Sequence, residues 1–209
     1  DGFRGTPRLV RMFQYQDNEH PQANEILDKR GIFFDKNRSI DITTSVTGTF
    51  TTEGWAVYKY TNLQSDGQPG KNSTFPDTDF PMFRLADVYL MYAEAVARGG
   101  QGGNVATAVS YINALRQRAY GDNFHNITES WLYENNLQNI LDERCRELYW
   151  EGVRRTDLIR YGLFTSPNYL WTFKGGVLNG VGVDSRYNVF PIPTTDLSVN
   201  GNLHQNEGY

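Results

Sequence analysis

Four carboxylates lie close together in one stretch of the chain, and paired carboxylates are the groups with which glycosidases work. Asp142, Glu143, Glu147 and Glu151 fall within NILDERCRELYWEGVRRTDLIRYG, residues 139–162. A glycosidase needs two carboxyl groups that face each other across the sugar. Each of these four has an arginine within one helical turn, which lowers the pKa of a carboxyl group and favours ion pairing. We therefore interpret the cluster as structural and predict no catalytic residue.

The spacing of the charges in this stretch also predicts particular ion pairs. Asp142 precedes Arg146 by four residues and Glu151 precedes Arg155 by four, the orientation that favours pairing along a helix. We assign a structural role to nine charged residues in all: Arg84, Glu94, Glu143, Arg144, Arg146, Glu147, Glu151, Arg154 and Asp157.

Other chemistries find little support in the residues. The three histidines are far apart and have no partner at metal-ligand spacing, so we predict neither a metal site nor a cofactor. The single cysteine, Cys145, lies on the predicted buried face of a helix and is interpreted as a core residue. The net charge of −4, with acidic and basic residues interspersed, excludes the basic surface that nucleic acid requires.

Aromatic rings are the remaining candidates for a function. Exposed rings in loops or strands stack on the apolar face of a sugar, while neighbouring polar groups bond to its hydroxyls. We predict ligand-binding roles for Trp55, Tyr15, Phe33 and Trp171. Trp55 is the best single candidate because it follows Gly54, where a ligand can approach the backbone. The competing interpretation is that Trp55 closes the core beneath a long loop over residues 63–81.

Predicted helices position most of the charged side chains named above. Apolar residues at three- and four-residue steps predict a helix over 84–98, with Leu85, Val88, Tyr89, Tyr92, Ala93 and Val96 on its buried face. Asn104 is a good N-cap for a second helix, and the five small residues between them predict a tetratricopeptide-like antiparallel pair. In the stretch 139–162, Gly152 predicts a break between one helix and a shorter second one, a helical elbow. Because one clear pair and the elbow are fewer helices than a repeat array needs, we expect an exposed apolar face on 84–98.

The rest of the chain is predicted to be poorer in regular structure. LVRMF, residues 9–13, suggests a short strand, and the β-branched and aromatic residues of 39–62 suggest a hairpin or a pair of strands. The end of the chain shows neither the helical nor the strand periodicity of apolar residues and is expected to be an extended tail. The prediction is one mainly α domain over 1–209 with a small β element: a loop- and β-rich segment at 1–83, the helical hairpin and elbow at 84–162, and an irregular loop and tail at 163–209.

Three stretches of the sequence resemble the C-terminal half of the SusD/RagB family. They are DTDFPMFRLADVYLMYAEA at 77–95, ILDERCRELYWEGVRRTDLIRYG at 140–162 and FPIPTTDLSVNGNLHQNEGY at 190–209. GWAVYKYTN at 54–62 is similar to the strand that precedes the long loop in the family. Two details depart from the commonest pattern, Cys145 in place of an arginine and Glu207 in place of a proline.

The resemblance implies a tetratricopeptide-like helical scaffold with long irregular loops, and a chain from which roughly the first half of the molecule is absent. It also implies a lipid-anchored protein on the cell surface at the outer membrane, whose anchor lies outside this chain. Such a protein binds an oligosaccharide or polysaccharide without cleaving it and partners a SusC-like TonB-dependent transporter. The alternatives are a helical-repeat adaptor that binds a protein or peptide, and an accessory domain of a glycoside hydrolase with activity of its own.

Overall fold

The computed structural model of the chain describes residues 3–44 and 49–209 and divides them into two compact units. The N-terminal unit contains residues 3–42 and 49–154. The C-terminal unit contains residues 155–209 together with 43–44. The boundary between the units therefore falls at residues 154–155, within the predicted elbow.

Most regular structure of the N-terminal unit is helical. Its α-helices include α1 at Pro7–Val10, α2 at Leu85–Ala97, α3 at Val105–Tyr120 and α4 at Gln138–Leu148, and short 3-10 helices lie at Ala23–Glu25, Ser130–Leu132 and Glu134–Leu137. Helix α3 begins as predicted, because the side chain of Asn104 accepts a hydrogen bond from the amide of Thr107 at 2.9 Å. Gly121 ends the same helix in a left-handed conformation, with φ at 82°. The prediction of a mainly α fold with a small β element is confirmed.

The main core of this unit lies among α2, α3 and α4. It is formed by apolar side chains that include Leu90, Ile112, Leu132 and Ile140, all fully enclosed. Ala93 and Ala108 are fully buried as well, and their small side chains let α2 and α3 approach closely. Cys145 is buried, as expected of a core residue.

The buried face of α2 differs in part from the predicted one. Leu85 and Val88 are exposed, at 63% and 48%, whereas Ala86 and Leu90 take the buried positions. The buried face is therefore shifted around the helix from the one that the three- and four-residue spacing predicted, although Ala93 and Val96 are buried as predicted. Large apolar side chains are exposed on and before this helix: Phe75, Phe80, Met82, Phe83, Leu85, Val88 and Met91.

The β element is smaller than predicted and uses a different partner strand. Strand β1 at Phe33–Phe34 pairs in antiparallel fashion with β2 at Ala56–Val57. The LVRMF segment is not a strand, because Pro7 and the capping hydroxyl of Thr6 start α1 there instead. Residues 63–81 contain no helix or strand, as predicted.

The helical stretch breaks where Gly152 predicted a break. Helix α4 ends at Leu148, and α5 spans Arg154–Arg160. Between them Trp150 and Gly152 adopt left-handed backbone conformations, with φ at 65° and 78°. Glycine is the residue that enters this region without strain.

The C-terminal unit holds most of α5, the short helix α6 at Thr194–Val199, and turns of 3-10 helix at Lys174–Gly176 and Ser185–Asn188. The tail is thus not wholly extended, since α6 lies within it. Its path is fixed by side-chain bonds to its backbone: Gln205 bonds to both the amide and the carbonyl of Ile192, and Asn206 donates to the carbonyl of Phe190 at 2.7 Å. Among the described residues of both units, no helix is long and apolar enough to cross a membrane.

Candidate ligand-binding site

The carboxylates of α4 take part in an enclosed ion-pair network. Glu143 is 0% exposed and bonds to three arginines at 2.6–2.7 Å, which are Arg30, Arg116 and Arg146. Burial alone would raise the pKa of Glu143, but the three guanidiniums outweigh it and hold that pKa well below its usual range. A carboxyl group that stays ionised in this way is unsuited to act as a general acid.

Glu147 and Glu151 extend the network toward the start of α2. Glu147 bonds to Arg84 at 2.9 Å and also pairs with Arg30 and Arg118. Glu151 pairs with Arg84 at 2.7 Å and with Lys59. Burial alone would raise the pKa of Glu147. The hydrogen bond from Arg118 and the other nearby cations outweigh that effect, so the pKa of Glu147 is lowered overall. The network joins parts of the chain that are far apart in sequence.

The predicted pairs along the helix are wrong. Arg146 bonds to Glu143 rather than to Asp142, and Glu151 lies beyond the end of α4, where it faces Lys59 and Arg84. Asp142 also departs from the expected pKa shift. Burial raises the pKa of Asp142, and its arginine neighbours do not compensate, because Arg154 is 3.9 Å away.

The other charged residues assigned a structural role make contacts both between helices and along the chain. Arg144 pairs with Asp87 at 2.8 Å. Arg154 donates to the carbonyl of Leu141 at 3.0 Å. The remaining two carboxylates pair with an arginine three or four residues later in the chain, at 2.9 Å for Glu94 with Arg98 and at 2.8 Å for Asp157 with Arg160.

Three of the four predicted ligand-binding rings lie in a second core of the N-terminal unit. Trp55 is 3% exposed and Tyr15 is 2% exposed, and their ring centroids are 6.0 Å apart. Phe33 is partly buried, and its ring centroid lies 6.1 Å from that of Trp55 and 6.0 Å from that of Tyr149. The expectation of an exposed indole at Trp55 is therefore wrong, and the competing interpretation of a core residue fits the observed burial.

Trp171, the fourth predicted ring, lines an open cleft of about 650 Å³ in the C-terminal unit. Its ring lies 6.1 Å from that of Phe164, at an interplanar angle of 30°. Three more rings line the cleft, and all are exposed: Tyr187 at 43%, Phe190 at 70% and Tyr209 at 42%. The volume lies within the range of small-molecule sites, about 300–1,000 Å³. We call this the aromatic cleft.

Cations pack against the rings of the aromatic cleft, namely Arg155, Lys174 and Arg186, the last of which lies 5.1 Å from the centroid of Tyr187 and 5.6 Å from that of Tyr209. The Arg155 guanidinium lies 4.0 Å from the centroid of Phe190 and 5.1 Å from that of Phe164, and it donates to the carbonyl of Tyr187 at 2.7 Å. Lys174 is 2% exposed, and its Nζ lies 4.7 Å from the centroid of Trp171. The same Nζ donates to the carbonyls of Ser166 and Tyr169, so its bonding capacity is used within the protein.

The chemistry of the aromatic cleft suits an uncharged ligand with flat apolar faces and hydroxyl groups. The described residues that line it include no Asp or Glu. The Tyr209 hydroxyl bonds to the carbonyls of Arg186 and Val189, which fixes the end of the chain beside the cleft. Ring faces offer stacking surface, while Arg155 keeps donors that its one hydrogen bond to Tyr187 does not use.

Sequence reasoning did not place Arg155, Phe164, Phe190 and Tyr209 at a site. The signal that was available is the density of rings in 163–190 and at the final residue. No metal-ligand cluster of three or more His, Cys, Asp or Glu occurs in the described ranges.

A model of the SusD family matches residues 40–209. The chain belongs to the SusD family. It is 47% identical over 159 residues to the starch-binding protein SusD of Bacteroides thetaiotaomicron, an alignment that covers 76% of this chain and 26% of that protein. It is 32% identical over 155 residues to the SusD-like protein P25 of Formosa agariphila, covering 72% of this chain and 28% of that one. The matched part is thus about a quarter of the length of these relatives.

Solved structures agree with this membership. A SusD-like protein from Bacteroides fragilis superposes over 100% of this chain and 47% of its own, with a TM-score of 0.65 at 20% identity, which shows the fold alone. Surface glycan-binding protein A from Bacteroides thetaiotaomicron superposes over 76% of this chain and 31% of its own, with a TM-score of 0.54 at 25% identity. The family resemblance seen in the three sequence stretches is confirmed.

Proposed function

We propose that this chain is part of a non-catalytic protein that binds an oligosaccharide at the cell surface. The observation that carries the proposal is the 47% identity to a protein named for starch binding. The lowered pKa values of the enclosed Glu143 and Glu147 agree with a protein that does not hydrolyse its ligand, since a glycosidase needs one carboxyl group that can give up a proton.

We assign a contribution to binding to the aromatic cleft of the C-terminal unit. Trp171 and the exposed ring of Phe190 provide stacking surface, and Arg155 provides hydrogen-bond donors to sugar hydroxyls. Trp171 thereby keeps its predicted role in ligand binding, whereas Tyr15, Phe33 and Trp55 serve the core.

A glycan panel tests binding and hydrolysis together. The full-length protein is titrated calorimetrically with neutral oligosaccharides, maltohexaose first because of the relative's name, and the mixtures are assayed for new reducing ends. We expect saturable binding without release of reducing ends. Release of reducing ends would contradict the non-catalytic proposal, and the absence of binding to every glycan would contradict the binding proposal.

We further propose that the bound glycan is delivered to a SusC-like TonB-dependent transporter in the outer membrane, where a lipid anchor outside this chain holds the protein. The support is family membership together with the resemblance described above. Tagged full-length protein isolated from detergent-solubilised outer membranes should retain a β-barrel transporter in near-equal amount. Its recovery without any such partner, after mild solubilisation, would contradict the delivery step.

A further inference from the structure

One buried lysine lies at the centre of the irregular segment 163–174 in the C-terminal unit. The side chain of Lys174 is enclosed, and its Nζ donates to the backbone carbonyls of three residues: Leu163 at 3.4 Å, Ser166 at 2.6 Å and Tyr169 at 2.7 Å. We call these three carbonyls the carbonyl cage. The segment that follows α5 is therefore wound around a single ammonium group.

The carbonyl cage provides what an enclosed ammonium group needs. A lysine ammonium has three donors and no acceptor, and the three carbonyls take all three. No ion pair of Lys174 with a carboxylate occurs among the described residues, and burial lowers the pKa of its amine. Hydrogen bonds to the charged form act in the opposite direction and favour it. The backbone dipoles of the cage thus take the place of a counter-ion.

The same ammonium group also contacts Trp171. Nζ lies 4.7 Å from the centroid of the indole, within the range of a cation–π interaction. The amide of Lys174 donates to the carbonyl of Trp171 at 3.0 Å, so one residue holds both the backbone and the ring of the tryptophan. Trp171 itself belongs to no helix or strand. Its orientation in the aromatic cleft therefore depends on Lys174 rather than on a regular backbone.

The backbone between the indole and the lysine is in a conformation that its surroundings must maintain. Phe173 has a left-handed φ of 66°, which is unfavourable for a bulky side chain. Such a conformation persists only where neighbouring contacts determine it, and the bonds of the adjacent Lys174 are contacts of this kind. Loss of the ammonium would release the turn that presents Trp171.

We propose that Lys174 is a positioning residue of the aromatic cleft, whose ammonium group fills the carbonyl cage and thereby sets the orientation of the Trp171 indole. The cage is then a site for a primary ammonium ion that the protein occupies with its own side chain. The link to glycan affinity rests on the proposed function, because that function assigns Trp171 to binding.

The test uses the full-length protein and varies the charge and the volume at residue 174 separately. Lys174→Met keeps the length of the side chain and removes its charge. Lys174→Ala leaves room for added propylammonium, which supplies the missing carbons and nitrogen, and propanol is its uncharged counterpart. Lys36→Met, at an exposed position in the N-terminal unit, is the matched control.

Two measurements are made on each protein. Fluorine NMR of fluorotryptophan-labelled protein reports the surroundings of each indole, and Trp171→Phe identifies the resonance of Trp171. Calorimetry gives the affinity for the oligosaccharide that binds most tightly in the panel. Lys174→Arg is measured in the same way if the uncharged variants do not fold, because its planar guanidinium retains the charge but cannot place three donors on one atom.

We expect Lys174→Met to shift the Trp171 resonance and to weaken glycan binding roughly three- to tenfold, the range of an aromatic contact. Propylammonium, but not propanol, should restore both properties in Lys174→Ala. Lys36→Met should match the wild type. The resonance of Trp171 should also shift in Lys174→Arg.

An unchanged Trp171 resonance in a folded variant of Lys174 would overturn the positioning role, whatever the glycan result. Rescue by propanol as well as by propylammonium would show that volume matters rather than charge, and would overturn the ammonium site. A shifted resonance with wild-type glycan affinity would instead support the cage and remove Trp171 from the binding site. If the wild type binds no glycan, the proposed function fails, and the resonance alone decides whether Lys174 positions Trp171.

Discussion

Replacement of Glu143 by glutamine would test whether the enclosed ion-pair network stabilises the fold. The carboxylate is 0% exposed and is the shared acceptor of Arg30, Arg116 and Arg146. Glu143→Gln preserves the shape of the side chain and removes its charge. Arg30 keeps Asp28 as a partner at 2.7 Å, but Arg116 and Arg146 have no other carboxylate within ion-pair distance among the described residues.

The expected cost is about 3–5 kcal/mol of unfolding free energy, because breaking a buried ion pair on one side leaves enclosed charge without compensation. The amide of glutamine also brings donors to a place that already holds three guanidiniums. Because Arg116 and Arg146 would both lose their counter-charge, we expect a loss of unfolding free energy in the upper half of that range.

Urea denaturation of the full-length protein, followed by circular dichroism, measures this loss as a shift of the midpoint at constant slope. Glu129→Gln is the control, since it removes an exposed carboxylate and should change the free energy by less than about 0.5 kcal/mol. A loss below about 1 kcal/mol for Glu143→Gln would refute the structural reasoning. Loss of glycan affinity in a variant of normal stability would refute it as well, by pointing to a ligand role.

Three further predictions concern the core, the cleft and the pH dependence. Leu148→Ala should cost about 2–5 kcal/mol through the cavity it leaves, since Leu148 is 2% exposed; a midpoint within error of the wild type would contradict the packing. Trp171→Ala should lower glycan affinity by about 1 kcal/mol or more without change in melting, whereas Trp55→Ala should lower the melting temperature, and the reverse pattern would exchange their roles. The folded-state pKa values of Glu143 and Glu147 are lowered, so their contribution to stability is present above 4.5, the ordinary pKa of glutamate, and is lost as the pH falls below it. Urea midpoints measured between pH 3 and 7 should therefore fall at the acid end in the wild type and less steeply in Glu143→Gln.

The helices were predictable because their signals are local. The periodicity after Pro81, the cap at Asn104 and the break at Gly152 each depend on residues within a few positions of one another, and the structure contains all three features. The buried face of α2 was harder, since Leu85 and Val88 are apolar yet exposed. Periodicity finds an apolar face but does not say which part of it the rest of this chain covers.

Partners that are distant in sequence were beyond local reasoning. Spacing along a helix suggested Arg146 for Asp142, whereas the carboxylates of α4 pair with Arg30 and Arg84, which lie over 60 residues away. Alternation along a strand likewise says little about Trp55, because β2 has only two residues and the ring is enclosed by others from 13–33 and 149. The aromatic cleft forms because Phe190 and Tyr209 of the C-terminal tail fold back beside Trp171. No residue pattern within the tail predicts that position.

The burial of Cys145 gives this chain a built-in reporter of its own motions. The thiol is 7% exposed and is the only one in the 209 residues. It lies on α4 between Glu143 and Glu147, so a labelling reagent reaches it chiefly when that helix opens away from the core. The rate of labelling, relative to that of a free thiol, therefore measures the free energy of local opening. Disulfide-exchange reagents can follow the loosening of the ion-pair network in the 209-residue chain without any introduced probe.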